Sequence, residues 1–263
     1  MEHTTLSNPL KNLVEAQIAA QCVQSFNEPA CVIIKQLHPC GVALGKSILQ
    51  AYTKAHQSDP TSAYNGIVAF NRVLDKETTV EVLNNQLVEL FLAPEFSEET
   101  LLLLKDKPKI QVVTFNEILK TTEPENKILT AKELRRVTER SPSPEQIQDL
   151  LFAWTVCKFV KPNGIVYASS GQTLGIGTGP NRFFSARLGV FKAEMEGLSV
   201  ENAVMASEGL LPLKDSIEIA AKEKIQAIIQ PGGSSKDAEI IEAANKHHIA
   251  MVFTNIQYFR SKE

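Results

Sequence analysis

The sequence has few cysteines, no long apolar run and no surplus of basic residues, and each absence excludes a class of protein. Its cysteines, Cys22, Cys31, Cys40 and Cys157, form no Cys-x-x-Cys pair, so we expect neither a disulfide framework nor a zinc site. We expect cytoplasmic thiols, because the first ten residues also lack a signal-peptide pattern. Apolar runs such as the four leucines at 101–104 are too short to span a bilayer. A formal net charge of −3 disfavours nucleic-acid binding.

Length and composition predict an ordinary globular protein with a substantial core. The chain has 263 residues, of which 43% are hydrophobic and 22% are charged. That length suits one large domain or two small ones.

Apolar periodicity predicts helices and short buried strands that alternate along the chain, which indicates an α/β fold. Residues 12–26 suggest an amphipathic helix, and residues 30–35 a buried strand. We expect the next helix to follow the Pro39–Gly41 turn directly, over residues 41–58. The halves have similar element counts, which suggests a loose duplication. We predict a first unit over 1–120, a polar connecting segment over 121–143 and a second unit over 144–263.

Three stretches with small or polar residues follow predicted strands, where open α/β sheets usually bind ligands. They are KQLHPCG from Lys35, GIGTGPNR from Gly175 and QPGGSS from Gln230. In the last, Ser234 or Ser235 could cap a helix whose first N–H groups favour an anion. A plain strand-to-helix turn is the commoner explanation of such residues.

The GIGTGPNR stretch resembles a dinucleotide fingerprint only superficially. Asn181 and Arg182 stand where the third glycine and the opening helix belong, so we reject that interpretation. Arg182 remains a candidate fork for a phosphate group.

The first stretch offers a lysine, a histidine and a cysteine within six positions. Lys35 could stabilise an oxyanion, or could be an ordinary strand-end lysine. His38 and Cys40 suggest a nucleophile pair whose geometry the spacing does not fix. A zinc deaminase motif would need a cysteine where Ala43 stands. The His247–His248 pair at a helix end favours a helix-dipole interaction over a metal site.

Taken together, these stretches resemble the formyltransferase half of the bifunctional purine biosynthesis protein, the AICAR transformylase family. The similarity runs from about residue 10 to the C-terminus in colinear blocks, among them EPACVIIKQLHPCGVA, SAYNGIVAFNRVLD, DLLFAWTVCKFVKPNGIVYA and QPGGSSKD. It does not include the family's cyclohydrolase domain, which we expect to be absent.

The resemblance implies two cytidine-deaminase-like subdomains without zinc, each a mixed sheet flanked by helices. It implies a homodimer with active sites at the interface, and formyl transfer from 10-formyltetrahydrofolate, the co-substrate, to the amine of AICAR. It assigns Lys35 to catalysis, and no metal. Substrate positions fall on Glu89, Asn163 and Arg182, and folate positions on Asp215, Ser234 and Ser235.

Several residues depart from the family pattern. Gln36 stands where the family has the histidine that helps remove the amine proton, and glutamine takes no proton at neutral pH. His38 replaces an asparagine, and Asn65 replaces a glycine. The LLPLKD block, 210–215, has lost the family's aromatic residues, and Gln257 replaces an arginine.

These residues leave three hypotheses. The chain is a formyltransferase of reduced turnover, or a silent relative that binds a nucleotide, a folate or a protein partner. The third is an enzyme that uses His38 in place of the missing base, which requires hydrogen-bond reach to the substrate.

Overall fold

The computed structural model describes residues 12–118, 129–211 and 214–257. These residues form one large mixed sheet flanked by helices, as the alternating pattern predicts. Among them, no helix is both long enough and apolar enough to cross a membrane.

The described residues of the first half contribute five strands and six helices. The strands are β1 (Ala30–Lys35), β2 (His38–Leu44), β3 (Gly66–Phe70), β4 (Val88–Ala93) and β5 (Gln111–Thr114). The helices are α1 (Leu13–Gln24), α2 (Ile48–Ser58), α3 (Pro60–Ala63), α4 (Lys76–Asn85), α5 (Glu98–Lys105) and α6 (Phe115–Ile118).

The second half repeats this order of elements. Its strands are β6 (Arg135–Arg136), β7 (Ile165–Ser169), β8 (Gln172–Gly177), β9 (Val204–Ser207), β10 (Ala227–Gln230) and β11 (Ala250–Phe253). Its helices are α7 (Pro144–Cys157), α8 (Arg182–Met195), α9 (Lys214–Lys222) and α10 (Asp237–Lys246). In both halves a helix precedes an antiparallel hairpin, and parallel strands joined by helices follow.

The two halves form a single eleven-stranded sheet in the order β5-β4-β3-β1-β2-β8-β7-β9-β10-β11-β6. They join where β2 meets β8 in an antiparallel pairing, with Ala43 opposite Gln172. Side chains reinforce this seam. Thr173 Oγ1 accepts a hydrogen bond from Val42 N at 3.0 Å, and Ser58 Oγ donates to Thr173 O at 2.5 Å.

The helix that the sequence predicts over residues 41–58 is wrong in its first part. Residues from His38 to Leu44 form strand β2, and the helix begins only at Ile48, where Ser47 Oγ accepts from Gln50 N. Gly41 explains why the strand is hard to recognise. A Cβ there would lie 1.9 Å from Ala55 O, so the glycine is required by the helix that crosses the strand.

Residues 129–143, the described part of the predicted connecting segment, pack on the second half. Strand β6 pairs with β11, Met251 N donates to Thr138 Oγ1 at 2.7 Å, and Arg140 donates to two main-chain oxygens of the second half. Residues 119–128 lie outside the described ranges.

Each face of the sheet has its own core. One face packs against α1 and α7, and its largest fully buried side chain is Trp154. The opposite face carries two clusters. One lies around Tyr52 and Phe91 in the first half, and the other around Tyr167 and Phe253 in the second. The helices thus hold the strand ends rigidly, and the loops at those ends carry the candidate site.

Candidate functional site

The strand pairings place all seven sequence-predicted site residues along one edge of the sheet, by which we mean the row of strand ends and not an outer strand. Strands β1, β8, β9 and β10 end there, and β2, β3, β4 and β7 begin there, because each antiparallel neighbour reverses direction. Lys35, Glu89 and Asn163 lie at or within two residues of these termini, and Arg182, Asp215, Ser234 and Ser235 follow a strand end by four to eight residues.

The first stretch is a tight hairpin turn and not a loop that opens a helix. Gln36 and Leu37 form its two-residue turn, with φ of 50° and 70°. Positive φ at both central residues is the pattern of a type I′ turn, which glycine and asparagine fill most easily. Glutamine and leucine are strained in this conformation, and backbone strain of this kind concentrates at functional sites.

Lys35 and His38 close this hairpin as directly opposite residues. Opposite residues of an antiparallel pair project to the same face, with Cβ atoms about 4.5–5.5 Å apart. Lys35 Nζ donates to Asn65 O at 2.6 Å, which aims the ammonium along the strand ends. Asn65 has φ of 53°, a conformation that suits glycine and that asparagine tolerates.

His38 is partly buried, and its Nδ1 is enclosed without a hydrogen-bond partner among the described residues. Burial lowers the pKa of His38, and the nearby Lys192 ammonium lowers it further. Lys192 in turn pairs with the buried Asp59 at 3.0 Å. Sequence reasoning missed this ion pair, because its members come from different halves and neither belongs to a motif.

Cys40 is not an activated thiol. Burial raises its pKa to about 12, and its Sγ lies 3.5 Å from Ile33 O. The thiolate is the nucleophilic form, so the suggested His38–Cys40 nucleophile pair is not supported.

Asn163 and Arg182 belong to a second cluster, at the start of β7 and of α8. Asn163 takes φ of 57°, and its Nδ2 donates to Gly179 O at 2.9 Å, which ties it to the glycine loop. Thr178 Oγ1 donates to Pro162 O at 2.7 Å and fixes the same two loops together. The structure therefore brings these two predicted residues to one place.

Arg182 is not a free phosphate fork in this structure. Its Nη2 donates to Glu208 Oε1 at 2.9 Å, and both side chains are largely buried, with exposed fractions of 13% and 6%. A Cβ on Gly209 would lie 2.0 Å from Arg182 Nη2, so Gly209 leaves room for the guanidinium. Sequence reasoning missed Glu208, although a lone acid directly after a buried strand was a usable signal.

The glycines of the GIGTG loop serve packing more than ligand approach. A Cβ on Gly175 would lie 2.0 Å from Gly189 O, and one on Gly177 would lie 1.8 Å from Ser185 O. Both oxygens belong to α8. Gly179 differs, because its added Cβ would meet nothing nearer than 3.5 Å.

Main-chain N–H groups in and next to the QPGGSS loop donate hydrogen bonds to nearby side chains. Gly233 N donates to Asp237 Oδ2 at 2.7 Å, so an acid of α10 occupies the position predicted for an anion. The predicted serine cap is wrong, since Ser234 Oγ accepts from Lys236 N at 3.1 Å and the N-cap of α10 is Lys236. Ser235 is exposed, as is Asp215 in the first turn of α9.

The remaining predicted residues lie apart from the second cluster. Glu89, on β4, accepts a hydrogen bond from Asn12 Nδ2 at 2.8 Å. Lys35 lies three strands from Asn163 in the sheet order, about 14 Å at ~4.8 Å per strand, and five strands from Gln230, about 24 Å. The edge therefore carries separate groups of site residues. His247, predicted to meet a helix dipole, caps α10 and contacts Glu218 at 3.1 Å.

A groove beside the glycine loop exposes an apolar face of α8. Its volume is 780 Å³, and its walls include Gly179, Phe183, Phe184, Leu188 and Phe191. Phe184 and Phe191 are 53% and 55% exposed, which is unusual for two phenylalanines on one helix.

Within the described ranges, no group of three or more His, Cys, Asp and Glu side chains is arranged to hold a metal ion. The fold and site thus define a duplicated α/β protein with polar and cationic side chains along one sheet edge. The sequence profile of the AICARFT/IMPCHase bienzyme family matches residues 7–192, and the chain belongs to this family. Lys35, Glu89, Asn163 and Arg182 lie within the match, and the three predicted folate residues lie beyond it.

Among solved structures, the chain is similar to "Acinetobacter baumannii RibD, form 2". The identity is 11%, the alignment covers 93% of this chain and 72% of that one, and the TM-score is 0.28.

Proposed function

We propose that the chain transfers a formyl group from 10-formyltetrahydrofolate to AICAR, a step towards IMP in purine biosynthesis, with reduced turnover. Membership of the AICARFT/IMPCHase bienzyme family supports a role in purine biosynthesis formyl transfer. The observation that carries the specific reaction is Lys35, which holds its ammonium at the end of a buried strand, anchored on Asn65 O at 2.6 Å.

The site residues would divide the work according to their chemistry. Lys35 would stabilise the oxyanion of the tetrahedral intermediate, as a fixed cation does at developing negative charge. Glu89, Asn163 and Arg182 would bind AICAR. Asp215, Ser234 and Ser235 would bind the folate.

Reduced turnover follows from Gln36. It occupies an exposed turn position next to Lys35, and an amide takes no proton at neutral pH. Losing a general base typically costs about 10²–10⁴ in rate.

A homodimer would complete the site. The predicted residues spread over several strand spacings, so a second protomer could supply the groups that one edge keeps apart. Phe184 and Phe191 are exposed on α8, the helix that begins at Arg182, and would give that contact an apolar centre. We place the protein in the cytoplasm, where this pathway's substrates would reach it.

The test is formyl transfer with AICAR and 10-formyltetrahydrofolate, comparing the wild type with Gln36→His and Lys35→Met. We expect slow wild-type turnover, a further loss in Lys35→Met and a gain in Gln36→His. Wild-type turnover equal to that of family members that keep the histidine would contradict the reduced rate. The absence of any turnover would contradict the reaction.

A second candidate is a silent relative that binds a nucleotide, a folate or only a protein partner. Two internal contacts favour its protein-partner form: Glu208 holds Arg182, and Asp237 holds Gly233 N, so both groups predicted to bind an anion already have partners. Thermal shift with AICAR and with folate separately tests this candidate. Stabilisation by either ligand without formyl transfer would favour it, and no shift with either would exclude both binding functions.

A further inference from the structure

We propose that the ion pair between Asp59 and Lys192 positions Lys35 for formyl transfer, because it holds the two halves of the site at a fixed spacing. The inference rests on the proposed function and adds two positioning residues to it. They come from different halves of the chain, since Asp59 follows α2 directly and Lys192 lies on α8.

The ion pair is short and mostly enclosed. Lys192 Nζ donates to Asp59 Oδ2 at 3.0 Å, and the exposed fractions of the two side chains are 34% and 7%. The pair lies beside the β1–β2 hairpin, because the Lys192 ammonium is close enough to lower the pKa of His38, which burial already lowers. A buried acid that loses its cation is strongly destabilised, so the pair holds its two elements together.

On one side of the pair, Asp59 fixes the segment that holds Lys35. Its Oδ1 accepts from Ser62 N at 2.9 Å and its main-chain O accepts from Ala63 N at 3.0 Å, so it caps the single turn α3. Two residues after this turn, Asn65 O accepts the hydrogen bond from Lys35 Nζ at 2.6 Å. The position of the Lys35 ammonium therefore depends on where α3 ends.

The end of α3 has little room in which to move. A Cβ on Gly66 would lie 3.0 Å from Ala63 O and 2.8 Å from Ile34 O. The end of α3, the start of β3 and the end of β1 are therefore packed without spare space. A shift of α3 would pass to Asn65 O and from there to the ammonium.

On the other side of the pair, Lys192 lies on the helix that carries Arg182. Arg182 is the first residue of α8, and Lys192 follows ten residues later, about 15 Å along the helix axis. The ion pair thus fixes the spacing between Arg182, proposed to bind AICAR, and Lys35, proposed to stabilise the oxyanion. A misplacement of about 1 Å can cost roughly 10²-fold in rate.

Asp59→Asn and Lys192→Met test the positioning role, with Thr173→Val as the matched control. The asparagine keeps an oxygen that can cap α3 and loses the charge, whereas Thr173 is a buried seam residue whose hydroxyl accepts from Val42 N. We expect both pair variants to lower kcat by about 10–10²-fold and to keep KM for AICAR within about twofold, because the groups around Arg182 stay intact. Thr173→Val should lower Tm and keep kcat, with all rates measured well below the lowest Tm.

The two members of the pair should also behave as one unit. The double variant should lower kcat no further than either single variant does. Lys192→Arg, which restores a cation opposite Asp59, should recover most of the rate. Additive losses in the double variant would indicate two separate effects and would contradict the proposal.

Amide hydrogen exchange covers the case in which Lys192→Met does not fold, and it requires no turnover. Asn65 N donates to Leu87 O at 2.9 Å, so a loosened α3 should speed exchange in the peptide that contains Asn65. Asp59→Asn should show this faster exchange, and Thr173→Val should not. Unchanged kcat or unchanged exchange in Asp59→Asn, or an equal loss of kcat in Thr173→Val, overturns the positioning role alone. A wild type that transfers no formyl group overturns it together with the proposed function.

Discussion

Replacing Gly175 by alanine should separate the packing role of the GIGTG loop from any role in ligand binding. The added Cβ would lie 2.0 Å from Gly189 O and 2.8 Å from Gly189 C, both of which are main-chain atoms of α8. Ordinary contact begins near 3.4 Å, so the helix would have to move by roughly 1.4 Å. It cannot do so freely, because Tyr167 on the neighbouring strand donates its hydroxyl to Ala186 O of the same helix at 3.2 Å.

Overpacking of this kind costs about 1–3 kcal/mol, and the backbone contact places Gly175→Ala near the upper end. For a chain of this size, about 3 kcal/mol lowers Tm by roughly 6–12 °C. Differential scanning calorimetry measures this shift directly. Gly179→Ala is the matched control, because its Cβ would meet nothing nearer than 3.5 Å, so it should melt close to the wild type.

If the loop contacts a ligand, Gly179→Ala should weaken ligand binding more than Gly175→Ala does. That order is the reverse of their order of thermal destabilisation. Gly179 O receives the Asn163 side chain, so this glycine is next to the candidate site. A Gly175→Ala protein that melts within about 2 °C of the wild type would refute the packing argument.

Three further predictions concern the seam, the histidines and the thiols. Asp59→Asn should lower the free energy of unfolding by about 1–3 kcal/mol in urea titrations, because the buried acid loses its charge against Lys192. Glu201→Gln, in the exposed pair with Lys224, should change it little. The free energy of unfolding should fall as pH drops below about 6.5, because His38 and His56 have lowered pKa values in the fold, whereas the unfolded chain takes up protons at the ordinary histidine pKa. Replacing both histidines by glutamine should flatten this pH dependence. An unchanged slope in that double variant would count against the prediction. The four cysteines are buried, so iodoacetamide should leave them unmodified in the native protein and alkylate all four in denaturant. Mass spectrometry measures this labelling, and rapid labelling of the native protein would contradict the burial.

Periodicity in the sequence is enough to predict the alternating elements and the duplication. Buried strands such as β1 and β3 are continuous apolar runs, and Ser97 and Ser143 mark the starts of α5 and α7, where their hydroxyls accept main-chain hydrogen bonds. The turn of Ser170 and Gly171 joins β7 to β8 with positive φ at both residues, and its glycine is the one sequence signal for it.

Strand β2 could not be predicted in this way. Pro39 and Gly41 argue against a strand, and Gly41 is needed only because Ala55 O of α2 lies so close to it. Without β2 there was no hairpin register, so the pairing of Lys35 with His38 stayed hidden. The partner of Arg182 depends on the fold as well, because Glu208 lies 26 residues further along the chain, whereas Asp237 is a local partner, four residues after Gly233.

The seam between β2 and β8 has a consequence for how the chain folds during synthesis. Every pairing among β1 to β5 lies within residues 30–114, so this part of the sheet can form before the second half emerges from the ribosome. Until β8 is made, the outer edge of β2 has no partner, and an unpaired edge invites pairing with other nascent chains. Pro39 on that strand lacks an N–H group, so it interrupts the row of donors that a foreign strand would need. The residue that disguises β2 in the sequence would thus protect the half-made protein from aggregation.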